Sequence, residues 1–155
     1  MWGFDMDAEY FMREALKLAR EAGAEGEVPV GVVVVKDDEI VGRGRNRREG
    51  AKNALAHAEL AAINDACETL HGWRLWQCDL YVTLEPCPMC AGAIVNSRIK
   101  NVYFGAYDNK AGCFGSVTDF NCLDFNHKPE IHGGVLEEEC GRLLSDFFKT
   151  LREKQ

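Results

Sequence analysis

The stretch "DLYVTLEPCPMCAGAIVNSRIKNVYFGA", residues 79–106, decides the fold. It opens with a strand-like run, Asp79 to Leu84, rich in β-branched and aromatic residues, and closes with a second, Asn101 to Ala106. Between them "PMCAGAIVNSR" (88–98) reads as a helix, begun by Pro88, a residue suited to the first helical turn. Strand, helix and strand in close succession predict a sheet with a helix laid on its face. Where the first strand hands over to the helix, the chain places a carboxylate, a proline and the pair Cys87-x-x-Cys90.

Working outward, "VGVVVVK" (30–36) is a continuous β-branched run, as expected of a strand covered on both faces. Asp37-Asp38 makes a turn, and "EIVGRGRN" (39–46) returns as an alternating strand. Residues 7–22 place Ala8, Phe11, Ala15, Leu18, Ala19 and Ala22 at helical spacing, with Gly23 as a stop. Residues 56–70 read as a helix with Leu60, Ile63, Ala66 and Cys67 on one side. Beyond an irregular glycine-containing stretch, "EIHGGV" (130–135) is a short fifth strand and residues 136–153 a final helix. A hairpin followed by alternating helices and strands predicts a mixed five-stranded sheet in a three-layer α/β/α arrangement, one domain over residues 1–155. The N-termini of the two internal helices then converge at one edge of the sheet.

A chain of 155 residues with 46% hydrophobic content is long enough for a sizeable core. No apolar run approaches the length of a membrane span, and "MWGFDMDAEY" lacks the basic and apolar regions of a signal peptide. The expectation is a cytoplasmic protein without a membrane partner. Seven cysteines, an odd number in a reducing compartment, argue for ligation or catalysis by a few of them and against a disulfide framework. Cys67, Cys78, Cys113, Cys122 and Cys140 show no ligand spacing and read as buried thiols. The net charge of −7 hides a pattern: residues 1–39 carry ten acidic and four basic side chains, and residues 40–52 one acidic and five basic. Such a basic stripe can steer phosphates even on an acidic molecule.

By itself Cys87-x-x-Cys90 is compatible with redox chemistry, zinc binding or neither. Both thiols lie at a helix N-terminus, where the dipole favours the thiolate. Two thiolates do not fill the coordination sphere of zinc, and "AHAEL" (56–60), at the start of the other internal helix, offers His57 as a third ligand. Three protein ligands leave a position open for water, the arrangement of a catalytic site. Glu59, two residues on, points away from the direction of His57 and becomes the proton carrier.

"HAE" (57–59) followed by "PCPMC" (86–90) resembles the H-x-E…P-C-x-x-C signature of the zinc nucleobase deaminases. The resemblance implies a cytidine-deaminase-like fold and one zinc per subunit. It also implies attack of a zinc-bound hydroxide on the ring, with the glutamate shuttling protons. Over nearly the whole chain, "EVPVGVVVV", "GRNRREG", "VYFGAYDNKAGCFGS", "FNHKPEI" and "EEECGRLLSDFF" are similar to the bacterial tRNA-specific adenosine deaminases. That likeness implies conversion of adenosine to inosine at the wobble position of a tRNA anticodon stem-loop, by a homodimer.

Residue by residue, the resemblance implies that Asn46 contacts the purine and that Val30 and Leu84 wall the base pocket. It further implies that the backbone at Ala58 and Pro86 orients the ring. Asp108, Asn126 and His127 would approach flanking nucleotides, and Phe148 and Arg152 would extend the RNA surface. Arg43, Arg45, Arg47 and Arg48 are candidates for backbone phosphates. Two stretches depart from the family pattern: Asn53-Ala54-Leu55 stands where many relatives carry an Asp-Pro-Thr-like sequence, and "VTDFNCLDFNH" (117–127) differs in length and content. Two other readings remain: a free-nucleobase deaminase acting on guanine or cytosine, and a zinc-stabilised interaction module, which would have no use for Glu59.

Overall fold

The computed structural model describes residues 6–154; the first five residues of the acidic opening lie outside the described residues. In chain order the elements are α1 (Met6–Ala24), β1 (Gly31–Lys36), β2 (Glu39–Arg45), α2 (Arg48–Ala51), α3 (Ala58–Leu70), β3 (Asp79–Leu84), α4 (Pro88–Ser97), β4 (Asn101–Ala106), β5 (Glu130–Gly133) and α5 (Glu137–Glu153), with a 3₁₀ turn at Phe120–Cys122. The sheet runs β2-β1-β3-β4-β5. β1 is antiparallel to both its neighbours, while β3, β4 and β5 are parallel. The mixed five-stranded sheet expected from the sequence is therefore what forms. Asp37 and Asp38, both at positive φ (51° and 63°), close the β1–β2 hairpin in the conformation that two-residue hairpin turns require.

Alternation along the strands splits the core in two. Val32, Val34, Leu80, Val82 and Phe104 face α3 and α4; Val33, Val35 and Tyr81 face α1 and α5. Each fully buried Val, Leu or Ile contributes roughly 1.5–3 kcal/mol over its exposed state, so both faces are needed. Among the described residues no helix is long and apolar enough to cross a membrane.

The buried face of α3 differs from the one predicted. Ala58, Ala62 and Ala66 are fully buried there, while Leu60, Ile63 and Cys67 are only partly covered. The cause is β2, where a Cβ on Gly42 or Gly44 would collide with the α3 backbone at Ala62 or Ala58. Helix and strand touch backbone to backbone, and only alanine fits between. Of the five cysteines expected to be buried, Cys78, Cys113 and Cys140 are; Cys67 is half-buried and Cys122 is exposed in the 3₁₀ turn, its sulfur 3.6 Å from the Asp119 carboxylate.

Candidate active site

Two helix starts build the site. His57 is the residue that precedes α3 and Cys87 the one that precedes α4; both are extended, and neither side chain caps its own helix. His57 Nδ1 lies 3.7 Å from Cys87 Sγ and 3.5 Å from Cys90 Sγ. A tetrahedral zinc with ordinary Zn–S and Zn–N bonds spaces a nitrogen and a sulfur about 3.6 Å apart, so the two N–S separations match two edges of one coordination tetrahedron. Among the described residues this is the one His/Cys/carboxylate group that could hold a metal ion.

The protons tell the same story. Two thiols this close cannot both ionise without a cation beside them. Cys87 goes first: the hydrogen bond from the Cys90 thiol, aided by the N–H groups of Cys90 and Met89 and by His57, outweighs burial and draws it down to about 5. Cys90 is raised, by the hydrogen bond it gives Cys87, by burial and by the negative charge of Glu59. A divalent cation removes that conflict, and the donor set fits one.

Glu59 sits in the first turn of α3, 5% exposed. Burial pushes its carboxyl up to about 7; its own backbone N–H works in the opposite direction and the Cys87 charge adds to the rise. It faces a cleft of about 500 Å³, whose apolar walls are Val28, Val30 and Leu84 and whose floor carries Asn46, His57, Glu59 and Cys87. That volume suits a small-molecule or nucleoside-sized guest. One rim is Tyr107 to Ala111; the other brings Arg48, with Leu144 and Phe148 from α5.

Most of the site residues expected from the sequence meet at this cleft: Val30, Asn46, His57, Glu59, Leu84, Cys87, Asp108 and Phe148 line it, and Cys90 is buried behind it. Asn46 does more than face a ligand. Its Oδ1 accepts the Ala58 N–H at 3.0 Å and its Nδ2 donates to the Val28 carbonyl at 3.2 Å, so it ties the start of α3 to the chain ahead of β1. The Ala58 N–H is therefore committed to Asn46, and the Pro86 carbonyl already accepts the Cys113 N–H at 2.9 Å. Asn126, His127 and Arg152 do not line the cleft. Asn126 is exposed, and His127 Nε2 is 2.7 Å from the Ile99 carbonyl, ahead of β4, whose other end leads to the cleft. Of the arginines in the basic stripe, Arg48 reaches the cleft, whereas Arg45 is held by Glu25 in a two-pronged pair at 2.8 and 3.0 Å. Phe147 is half-buried and Phe148 is 40% exposed, so neither belongs to the core.

Two buried carboxylates escaped the sequence reading. Glu27, 4% exposed, accepts the N–H groups of Glu49 and Gly50 and holds α2 in place. Glu85, 2% exposed, gathers the loop after β4. All its partners lie 23 or more residues further along the chain, so no local pattern announced it.

A family model described as MafB19-like deaminase matches residues 6–152. The chain is 52% identical to the tRNA-specific adenosine deaminase of Bacillus subtilis, over 95% of this chain and 92% of that protein. It is 48% identical to the tRNA-specific adenosine deaminase of Aquifex aeolicus, over 95% and 97% of the two chains. The chain belongs to the tRNA-specific adenosine deaminases. A solved tRNA:A34 deaminase, studied for A-to-I editing at the wobble position of transfer RNA, superposes with a TM-score of 0.85. It has 44% identity and covers 87% of this chain and 99% of that one.

Proposed function

We propose that this chain deaminates adenosine to inosine at the wobble position of tRNA anticodons, consuming water and releasing ammonia. The observation that carries the reading is the His57–Cys87–Cys90 triangle beside a buried Glu59 at the floor of a nucleoside-sized cleft, in a chain of this family. The free-nucleobase reading is not favoured, since the relatives of high identity are tRNA-specific enzymes. The interaction-module reading leaves Glu59 and the cleft without a purpose.

One zinc per subunit, held by His57 Nδ1, Cys87 Sγ and Cys90 Sγ, would keep a coordination position open and supply the Lewis acidity that makes water nucleophilic at neutral pH. The chain does the rest. Glu59 takes a proton from the nucleophile, passes it to the ring nitrogen beside the reacting carbon and serves the departing amine. Val30 and Leu84 hold the purine by its faces. Asn46, fixed at both ends of its amide, keeps one further lone pair and one further N–H for the edge of the base.

An anticodon loop already exposes its bases, so placing one in the cleft costs less than opening a duplex. Arg48, Asp108 and Phe148 stand at the mouth for the nucleotides on either side. Asn126, His127 and Arg152, outside the cleft, are assigned to RNA beyond the target base. We place the enzyme in the cytoplasm as a single-domain homodimer. The open space beside Gly92, on a half-buried face of α4, supports close approach of a second subunit. The deciding experiment incubates the zinc-loaded protein with an anticodon stem-loop bearing a wobble adenosine and, separately, with free guanine and cytosine. Inosine and ammonia from the stem-loop alone are expected; turnover of free bases with an untouched stem-loop overturns the assignment.

A further inference from the structure

One wall of the cleft hangs on a single buried side chain. Glu85 follows β3 and stands two residues ahead of Cys87. Its Oε1 accepts from the Asp108 N–H at 3.0 Å and from the Ser116 hydroxyl; its Oε2 accepts from the N–H groups of Phe114 at 3.0 Å and Ser116 at 3.1 Å. A carboxylate offers about four lone-pair sites, and here all are taken by donors from one loop. Nothing separates loop and carboxylate, because a Cβ on Gly112 would land on the Glu85 carboxyl group. Gly115, at φ 136°, completes a backbone path that other residues rarely follow. Within the loop, Asp108 Oδ1 accepts the N–H groups of Lys110 and Ala111, which turns Asp108, Asn109 and Lys110 toward the cleft they line.

We propose that Glu85 is a positioning residue: it fixes the loop of residues 108–116, whose first residues form one rim of the cleft, and so sets how Asp108, Asn109 and Lys110 receive the nucleotides that flank the target. This rests on the reading of the chain as a tRNA deaminase. The reasoning is one of donors and acceptors. A glutamine in this place keeps the shape but turns one acceptor into a donor. The Ser116 hydroxyl can rotate to accept from it, whereas the N–H of Asp108, Phe114 or Ser116 cannot. The loop yields, because β3 is pinned between β1 and β4.

Two variants approach this contact from opposite sides, Glu85→Gln from the carboxylate and Gly112→Ala from the loop. Each should keep its zinc and the slow amide exchange of β1 and β3, while one or more of the amides of Asp108, Phe114 and Ser116 exchange at least ~10-fold faster. With a wobble-adenosine stem-loop, KM should rise ~10-fold and kcat fall by less than about threefold, the mark of lost binding rather than lost chemistry. The double variant should add little to either single one, since both break the same contact. Unchanged exchange in the loop overturns the proposal. So does loss of zinc from Glu85→Gln, which would place its role at the Cys87 ligand, or a fall in kcat at constant KM. Should Glu85→Gln fail to fold, Gly112→Ala carries the test alone. If the wild-type protein leaves the stem-loop untouched, the functional reading falls, and the exchange comparison still decides the role of Glu85.

Discussion

Glu59 and the His57–Cys87–Cys90 cluster beside it should differ in what their loss removes. Glu59 is not part of the His/Cys/Cys cluster, so Glu59→Ala should retain about one zinc per subunit and lose deamination by at least ~100-fold, the scale of an absent general acid–base group. Cys87→Ala should instead lose nearly all its metal; an elemental analysis of the two proteins checks both halves. The burial of Glu59 also has a pH signature in protein stripped of metal. Its folded value of about 7 lies above the ordinary 4.5, so its neutral form is the one the fold tolerates. The stability it brings is fully present below pH 4.5 and is lost as pH rises through 7. Urea unfolding of the stripped protein at pH 5 and pH 8 should show the wild type losing up to roughly 3 kcal/mol relative to Glu59→Gln. Equal pH profiles for the two would remove burial as the cause.

At the scale of elements, the site depends on how closely α3 lies against β2. The stripe of Ala58, Ala62 and Ala66 packs on Gly42 and Gly44, and a Cβ at Gly44 would meet the Ala58 carbonyl and the Ala62 N–H. Gly44→Ala must therefore push the start of α3 away from the sheet, at a cost on the order of 1–3 kcal/mol for overpacking. Since His57 precedes α3, weaker metal retention against a chelator should accompany the lower urea midpoint. A variant equal to wild type in both would show that the strand can shift to make room. Helical periodicity found α3 but ranked its faces by hydrophobicity, choosing Leu60 where backbone proximity selected alanine. The four-residue α2 has no periodicity to find; it exists because Glu27 receives its first N–H groups.

For the whole molecule, a net charge of −7 and a local basic stripe pull in opposite directions. Arg45 spends its guanidinium on Glu25, and the pair is part-exposed, so it steers little. Arg47 is exposed, Arg48 borders the cleft, and neither has an acidic partner among the ion pairs of the described residues. Stem-loop affinity should thus fall with rising salt on a shallow slope, and Arg47→Ala should weaken binding and flatten that slope by about one phosphate contact. Arg45→Ala should leave the slope where it was. Fluorescence titrations between low and moderate salt measure both, and a slope change in Arg45→Ala alone would reverse the assignment.

The sequence by itself determined the five strands and the four long helices in their chain order, and singled out His57, Cys87 and Cys90, which the structure brings together, and Glu59, which lies outside that cluster. These follow from local signals: period-two and continuous β-branched runs, a proline at a helix start, and side-chain chemistry at short spacing. Only the tertiary structure decided that Arg45 pairs with Glu25, which face of α3 is inside, and that Asn46 braces the start of α3 as well as facing the cleft. It also showed Glu27 holding α2 and Glu85 holding the loop after β4. Each of these rests on a contact between residues far apart in the chain, such as Glu85 with Ser116 or Arg45 with Glu25. A hydrogen bond or an ion pair of that kind leaves no periodicity in the sequence, because its partner is chosen by the sheet that brings the two together.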